Sequence, residues 1–338
     1  MKFSAPHLLA AAALAVSTLA QAQLSPPYSR LYVFGDSLSD SGNNFVASGF
    51  LTGPAPSSPT FIPSLPFTPG VAGSLPTYSN GPTWVSSFAA GLGLSAYAAP
   101  SLIGGGNYAS GGARTTGGSL FPPALTVQLN SYLGSFAGSV PAGSLYVLAG
   151  GGNDARAVAD AIAGGADPTA ATVAGASSYA STTLGMVNQL KARGATNIIV
   201  WNVPDLGKTP AALAGGPASS LGGTQISSTF NSFLSGTLAG SGVTIFDTFG
   251  IIQSVVASPA TFGFTNVTQA CGFAGNGCNP ASALFWDGIH PTAFAQTFIA
   301  NRMLVTAVPE PATYALFALG VAGLGVAVRR RKAAAAQA

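Results

Sequence analysis

Charge is what this sequence has least of: Lys, Arg, Asp and Glu make up 6% of its 338 residues. Among nine acids there is a single Glu, Glu310, and histidine and cysteine occur twice each. So few cations leave no basic stripe to follow a phosphate backbone, which excludes nucleic acid as a partner. Two Cys and two His, one of them His7 near the N-terminus, do not make the usual zinc sets, so no metal or other cofactor is expected. What is plentiful is small and apolar: 48% of residues are hydrophobic, with 44 Gly and 24 Pro. Gly and Pro stay below the roughly 25–30% that signals disorder, and the apolar share is ample for a core. The length suits one large domain or two small ones.

The two ends distort this composition. Met1-Lys2, an apolar stretch from Leu8 to Leu19 and Ala20-Gln21-Ala22 follow the order of a secretory signal peptide, so cleavage is expected after Ala22 and residues 1–22 are set aside. At the other end stand Val308-Pro309-Glu310-Pro311, an uncharged run from Ala312 to Val328, and then Arg329-Arg330-Arg331-Lys332. The run has the minimum length of a membrane span, and the four cations would hold its end on the cytoplasmic side. In this order Pro-Glu-Pro, hydrophobic run and basic cluster resemble the PEP-CTERM sorting tail, here residues 307–338. The resemblance implies an exosortase-type processing enzyme as partner and transient anchoring in the membrane through the C-terminal helix. The product would then lie at the cell envelope or surface, or be secreted; an uncleaved anchor is the plainer alternative.

The formal charge of +3 belongs largely to these ends. Lys2 and the four tail cations account for five of the 12 Lys and Arg, and Glu310 for one of the nine acids, so seven cations face eight Asp in the core, about −1. In an exported chain Cys271 and Cys278, seven positions apart in a Gly-rich stretch, read as a disulfide.

Residues 23–306 remain as the expected functional domain. Short β-branched and aromatic runs at Leu31 to Phe34, Leu145 to Leu148, Asn197 to Trp201 and Val243 to Phe246 each lead into turn chemistry and read as buried parallel strands. Helices are expected between them, notably Pro168 to Arg193, with Val173, Leu184, Val187 and Leu190 at helical spacing and Gly194 as its stop, and Pro291 to Val305. The alternation predicts a three-layer α/β fold, a parallel sheet flanked by helices with functional loops at the strands' carboxyl ends. From Gly49 to Pro82 the rhythm breaks, and this stretch reads either as a linker or as a lid presenting Phe50, Phe61 and Phe67 to substrate.

Ser37 of Gly35-Asp36-Ser37-Leu38 follows the first strand, where a tight turn can expose its hydroxyl, although Gly-Asp-Ser is also ordinary turn chemistry. A serine needs a base to attack at neutral pH, and imidazole, with an unperturbed pKa of roughly 6.5, suits that task. After cleavage His290 of Asp287-Gly288-Ile289-His290 is the only histidine, and Asp287 is close enough in sequence to orient it. Oxyanion donors are offered by Asn107-Tyr108-Ala109-Ser110-Gly111-Gly112 and by Gly151-Gly152-Asn153-Asp154. Gly207-Lys208-Thr209 hints at a phosphate loop, but Asn202 stands where its first Gly should be.

These four segments, in this order, resemble the GDSL or SGNH family of lipases and esterases over about residues 30 to 305, and Tyr78-Ser79-Asn80-Gly81-Pro82-Thr83-Trp84-Val85 is similar to a stretch of its esterase branch. The resemblance implies the three-layer, flavodoxin-like SGNH fold. It also implies Ser37 as nucleophile, His290 as base with Asp287 as its orienter, and Ser37, Gly112 and Asn153 as oxyanion donors, with Gly111 the neighbouring alternative to Gly112. The expected function is an exported serine carboxylesterase or lipase acting through an acyl-enzyme on an ester substrate, a lipid or an acylated glycan. A polysaccharide O-acetyl esterase and an acyltransferase would use the same residues, and a non-catalytic matrix protein is the alternative of another class.

Overall fold

The computed structural model describes residues 27–67, 74–117 and 121–308. The expected signal peptide and the sorting tail beyond residue 308 lie outside them. Among the described residues no helix is long and apolar enough to cross a membrane.

Four parallel strands, β1 (Arg30–Gly35), β2 (Ser144–Ala149), β3 (Asn197–Trp201) and β4 (Thr244–Phe246), form one sheet in the order β1-β2-β3-β4. Three match the sequence reading closely, and β4 begins one residue later than expected. Their residues alternate between two cores, as a period of two requires. Phe34, Tyr146, Leu148, Ile198 and Val200 face one side. Leu31, Val33, Leu145, Val147, Ile199 and Trp201 face the other. Both faces are buried, which is why the strands read as continuous apolar runs.

Nine α-helices surround the sheet among the described residues: α1 (Asn43–Ala47), α2 (Trp84–Gly91), α3 (Leu125–Gly134), α4 (Gly152–Ala163), α5 (Pro168–Ala192), α6 (Pro210–Ala214), α7 (Gly216–Leu238), α8 (Thr248–Ala257) and α9 (Ala293–Ala307). Residues of α3, α5 and α7 fill the first core and residues of α2 and α9 the second, giving three layers. On α5, Pro168 opens the helix, the Asp167 carboxylate caps it by accepting from the Ala170 N–H, and Gly194 at φ 90° ends it. Its buried stripe differs from the one expected. Val173 is exposed, while Thr172, Ala176, Tyr179, Ala180 and Thr183 turn inward with Val187 and Leu190, because small residues let α7 approach. A second parallel pair, β5 (Asn266–Ala270) and β6 (Ala283–Phe285), had no clear sequence signal and packs with α8 around Phe264 and Leu284.

The free edge of β1 decides where the site forms. Residues 106–110 run along it as a reduced parallel strand: Val33 donates to the Gly106 carbonyl (3.0 Å), Tyr108 to Val33 (2.8 Å) and Ser110 to Gly35 (3.1 Å). With this segment counted, the order is flavodoxin-like, and the chain departs to opposite sides from β1, toward α2, and from its neighbour β2, toward α4 and α5. The crevice at such a switch point is where ligands bind in open α/β sheets, and Ser37 lies directly beyond it.

Cys271 and Cys278 are disulfide-bonded, with Cα atoms 5.4 Å apart, in the loop between β5 and β6. Neither the linker nor the lid alternative describes what the described residues between Gly49 and Pro82 do. Phe67 is buried and meets Trp286 edge-on at 6.2 Å, Phe61 packs on Phe67, and the Phe61 carbonyl accepts from the Gly288 N–H at 2.8 Å. Phe50 is 67% exposed. None of the three lines the cavity at Ser37; the described part of the segment braces the turn that carries His290.

Candidate active site

Asp36 through Asp40 form a tight turn after β1, in which the Asp36 carbonyl accepts from the Ser39 and Asp40 N–H groups. The Ser37 N–H is left without an acceptor among the described residues, and its side chain points to His290. Ser37 Oγ lies 2.8 Å from His290 Nε2, and His290 Nδ1 lies 2.7 Å from Asp287 Oδ2. All three residues are buried, Asp287 completely. The second Asp287 oxygen accepts from the backbone N–H of Ile289 (2.8 Å) and His290 (2.7 Å), so the turn fixes the carboxylate from within. A carboxylate only accepts, so Nδ1 carries the ring proton and Nε2 is free to accept from the Ser37 hydroxyl.

Hydrogen bonding separates the two glycines. Gly111 donates its N–H to Asp40 Oδ2 at 2.9 Å, and a Cβ there would sit 2.2 Å from the Tyr78 ring. Gly112, at φ 83°, has no acceptor for its N–H among the described residues. The loop is pinned on both sides of it, at Ser110 by β1 and at Ala113, whose carbonyl accepts from Asn153 Nδ2 at 2.9 Å. Arg156 donates to Asn153 Oδ1 at 3.2 Å, which orients the amide. Ser37, Asn153 and His290 line one cavity; Gly112 lies outside its lining. Leu38, Trp201, Pro204, Ile251, Ile289 and Ile299 make the cavity mostly apolar.

Several residues here had no role in the sequence reading. Asp40 accepts four backbone N–H groups, from Gly42, Asn43, Asn44 and Gly111. Asn44 ties Ser110, Gly111 and Tyr78 to the same turn. The Tyr78–Val85 stretch joins the two halves of the site. Tyr78 packs on the His290 ring, with centroids 5.4 Å apart. Ser79 Oγ donates to the Pro291 carbonyl (2.8 Å), and the Trp84 indole N–H donates to Ser39 Oγ (3.0 Å). Gln296 on α9 accepts from the Trp84 N–H (2.9 Å) and donates to the Leu38 carbonyl (3.4 Å), so one amide spans the serine turn and the histidine helix. Gln296→Leu is expected to lower kcat about 10- to 100-fold with KM little changed, because the pairing of Ser37 with His290 loosens. Gln296→Glu, which keeps the acceptor for Trp84, recovers part of the loss. A lowered melting temperature with kcat at the wild-type level would make Gln296 a purely structural residue.

Asp36 lines the cavity beside the serine, with its Oδ1 accepting from the Leu38 N–H. Burial pushes its carboxyl up to about 6 from the ordinary 3.8, against the pull of that N–H and of the nearby His290 and Arg156. Between about pH 4 and pH 6 the folded chain therefore keeps a proton that the unfolded chain has released, so stability falls as pH rises through that window and levels off above it. Burial pushes Asp40 up to about 6 as well, so the comparison must be made against a variant. Relative to Asp36→Asn, the wild type is expected to lose about 3 kcal/mol between pH 4 and pH 7, read from urea midpoints. Parallel midpoints across the window would rule out a buried ionisation at Asp36.

Residues 31–303 match the model of the GDSL-like lipase/acylhydrolase family. The chain belongs to this family. Residues 307–332 match the PEP-CTERM protein-sorting motif, which points to export and surface sorting. Esterase EstA of Pseudomonas aeruginosa is 34% identical over 346 residues, covering 87% of this chain and 49% of that protein. A GDSL esterase/lipase of Arabidopsis thaliana is 31% identical over 151 residues, 36% of this chain and 41% of its own. The chain thus spans about half the length, or less, of these curated relatives. Among solved structures an aryl esterase of M. smegmatis is similar at a TM-score of 0.42 and 16% identity, over 81% of this chain and 96% of that one.

Proposed function

We propose that this GDSL-family chain is an exported serine esterase that cleaves carboxylic esters through an acyl-enzyme on Ser37. The observation that carries the proposal is the unbroken hydrogen-bond chain from Ser37 Oγ through His290 to Asp287: two stretches some 250 positions apart meet at 2.8 Å, and the second continues it to the carboxylate at 2.7 Å. His290 Nε2 takes the hydroxyl proton as Ser37 Oγ attacks the ester carbonyl. Asp287, held by two backbone N–H groups, keeps the ring in the required tautomer and stabilises the imidazolium. The oxyanion of the tetrahedral intermediate is bound by the Ser37 and Gly112 N–H groups and the Asn153 amide, donors of which each is worth about 3 to 4 kcal/mol. His290 returns the proton to the departing alcohol, and water, deprotonated by the same ring, releases the acid. Every proton in this scheme moves among side chains, substrate and water, so the scheme calls for no cofactor.

The apolar walls support an acyl group as the occupant of the cavity. Its free volume is about 60 Å³, a few times the ~10–15 Å³ that one water needs, which favours short acyl chains over long ones. Residues 1–22 are read as the export signal, 23–306 as the catalytic domain and 307–338 as a tail that an exosortase-type enzyme processes at the membrane. The sorting-motif match supports the last of these.

A fluorophosphonate probe is expected to label the purified catalytic domain once, at Ser37, with loss of p-nitrophenyl butyrate hydrolysis. Ser37→Ala is expected to abolish both. Labelling that survives in Ser37→Ala would move the nucleophile elsewhere.

A further inference from the structure

Most polar side chains lining the cavity are satisfied within the protein. Asp205 accepts from the Gly207 N–H, Thr224 and Gln253. Thr209 donates to the Leu206 carbonyl and Thr248 to Asn202. Two groups differ. Trp201, 2% exposed and flanked by the rings of Trp84 and Phe246, has a buried indole N–H with no partner among the described residues. Buried donors without a partner are rare, and each calls for an explanation. Asp36, 3% exposed, uses Oδ1 for Leu38 and leaves Oδ2 without a protein donor among the described residues.

Asp36 and Trp201 also line, together, a side bay of about 10 Å³ that shares Leu38, Gly152 and Pro204 with the main cavity. That is about the space one oxygen-sized group needs. A hydroxyl is the group that answers both vacancies at once, accepting from an indole N–H and donating to a carboxylate oxygen. An alkyl group answers neither: it leaves the indole N–H orphaned and covers Oδ2 without a donor.

We propose that the bay is a specificity subsite for a hydroxyl on the substrate's acyl group, so that the preferred substrates are esters of short hydroxy acids. Because the bay adjoins the cavity that Asp36 and Ser37 line together, the hydroxyl belongs close to the scissile carbonyl, on the second or third carbon. The inference rests on the serine-esterase reading and names the acyl class for that site. Sites built to hydrogen-bond a substrate hydroxyl discriminate strongly against analogues that lack it, since their own polar groups are then left unpaired.

The test compares methyl 3-hydroxybutyrate with methyl 3-methylbutyrate, in which a methyl replaces the hydroxyl, by pH-stat at about pH 7.5. The wild-type catalytic domain is expected to favour the hydroxy ester at least tenfold in kcat/KM. In Trp201→Phe and Asp36→Asn the ratio of the two esters should fall toward one, and taking the ratio within each variant cancels any loss common to both. A wild-type ratio at or below one means the bay holds a water only and overturns the inference while leaving the esterase intact. A preference that both variants retain would also overturn it. Neither ester cleaved, with Ser37 unlabelled by fluorophosphonate, would instead remove the esterase reading on which the inference stands.

Discussion

His290→Ala is expected to lower kcat by about a million-fold, the size seen when a nucleophile's base is removed from a unit that acts together. The described part of the chain holds one histidine, and its Nε2 is the side-chain acceptor for the Ser37 hydroxyl. Without it the serine keeps a proton that no neighbour can take, while the oxyanion donors still bind the carbonyl, so KM changes little. The fold survives, because Asp287 retains the N–H groups of Ile289 and of residue 290, at some cost for its unpaired Oδ2. Steady-state hydrolysis of p-nitrophenyl butyrate, with circular dichroism of the same sample, reads both effects. A loss below tenfold in a folded variant would show that the imidazole is not the base.

Asp287→Asn is expected to cost about four orders of magnitude in kcat. The Asn carbonyl replaces Oδ1 and still accepts from the Ile289 and His290 N–H groups, so the turn persists. Its amide N–H then faces Nδ1, which must accept, and the ring proton moves to Nε2, where it points at Ser37 and blocks proton transfer. The outcome separates orientation from packing, since the two side chains have nearly the same shape. Activity within tenfold of wild type, with melting unchanged, would reduce Asp287 to a turn-forming residue.

Much of this architecture was legible in the chain because its signals are local. Buried parallel strands read as apolar runs, and β1 to β3 fall where Leu31, Leu145 and Asn197 placed them. His290 stood out by elimination, as the one histidine left beyond Ala22, whereas Ser37 gained weight only from that partner, since Gly-Asp-Ser alone is ordinary turn chemistry. Choosing between Gly111 and Gly112 depended on a bond to Asp40, seventy-one positions away, that no local pattern carries. The stretch from Tyr78 to Trp84 shows no period, and its purpose emerges only when Ser79 meets Pro291 and Trp84 meets Ser39. The aromatic loop from Gly49 misled for the same reason: Phe61 and Phe67 are apolar because they pack on the Trp286 turn, and the apolar lining of the cavity comes instead from Trp201, Ile251, Ile289 and Ile299. The C-terminal part of the buried face of α5, with Val187 and Leu190, was legible, but its first half escaped because around Tyr179 it is built of Ala and Thr, which hydrophobic spacing overlooks.

Stopped-flow hydrolysis of p-nitrophenyl butyrate, quenched in acid for peptide mass mapping, tests most directly whether Ser37 carries the acyl group. A burst of p-nitrophenol equal to the enzyme concentration, with a butyryl mass on the peptide containing Ser37, is expected wherever deacylation is the slower step. A butyryl group on any other residue, or turnover that persists in Ser37→Ala, would contradict it.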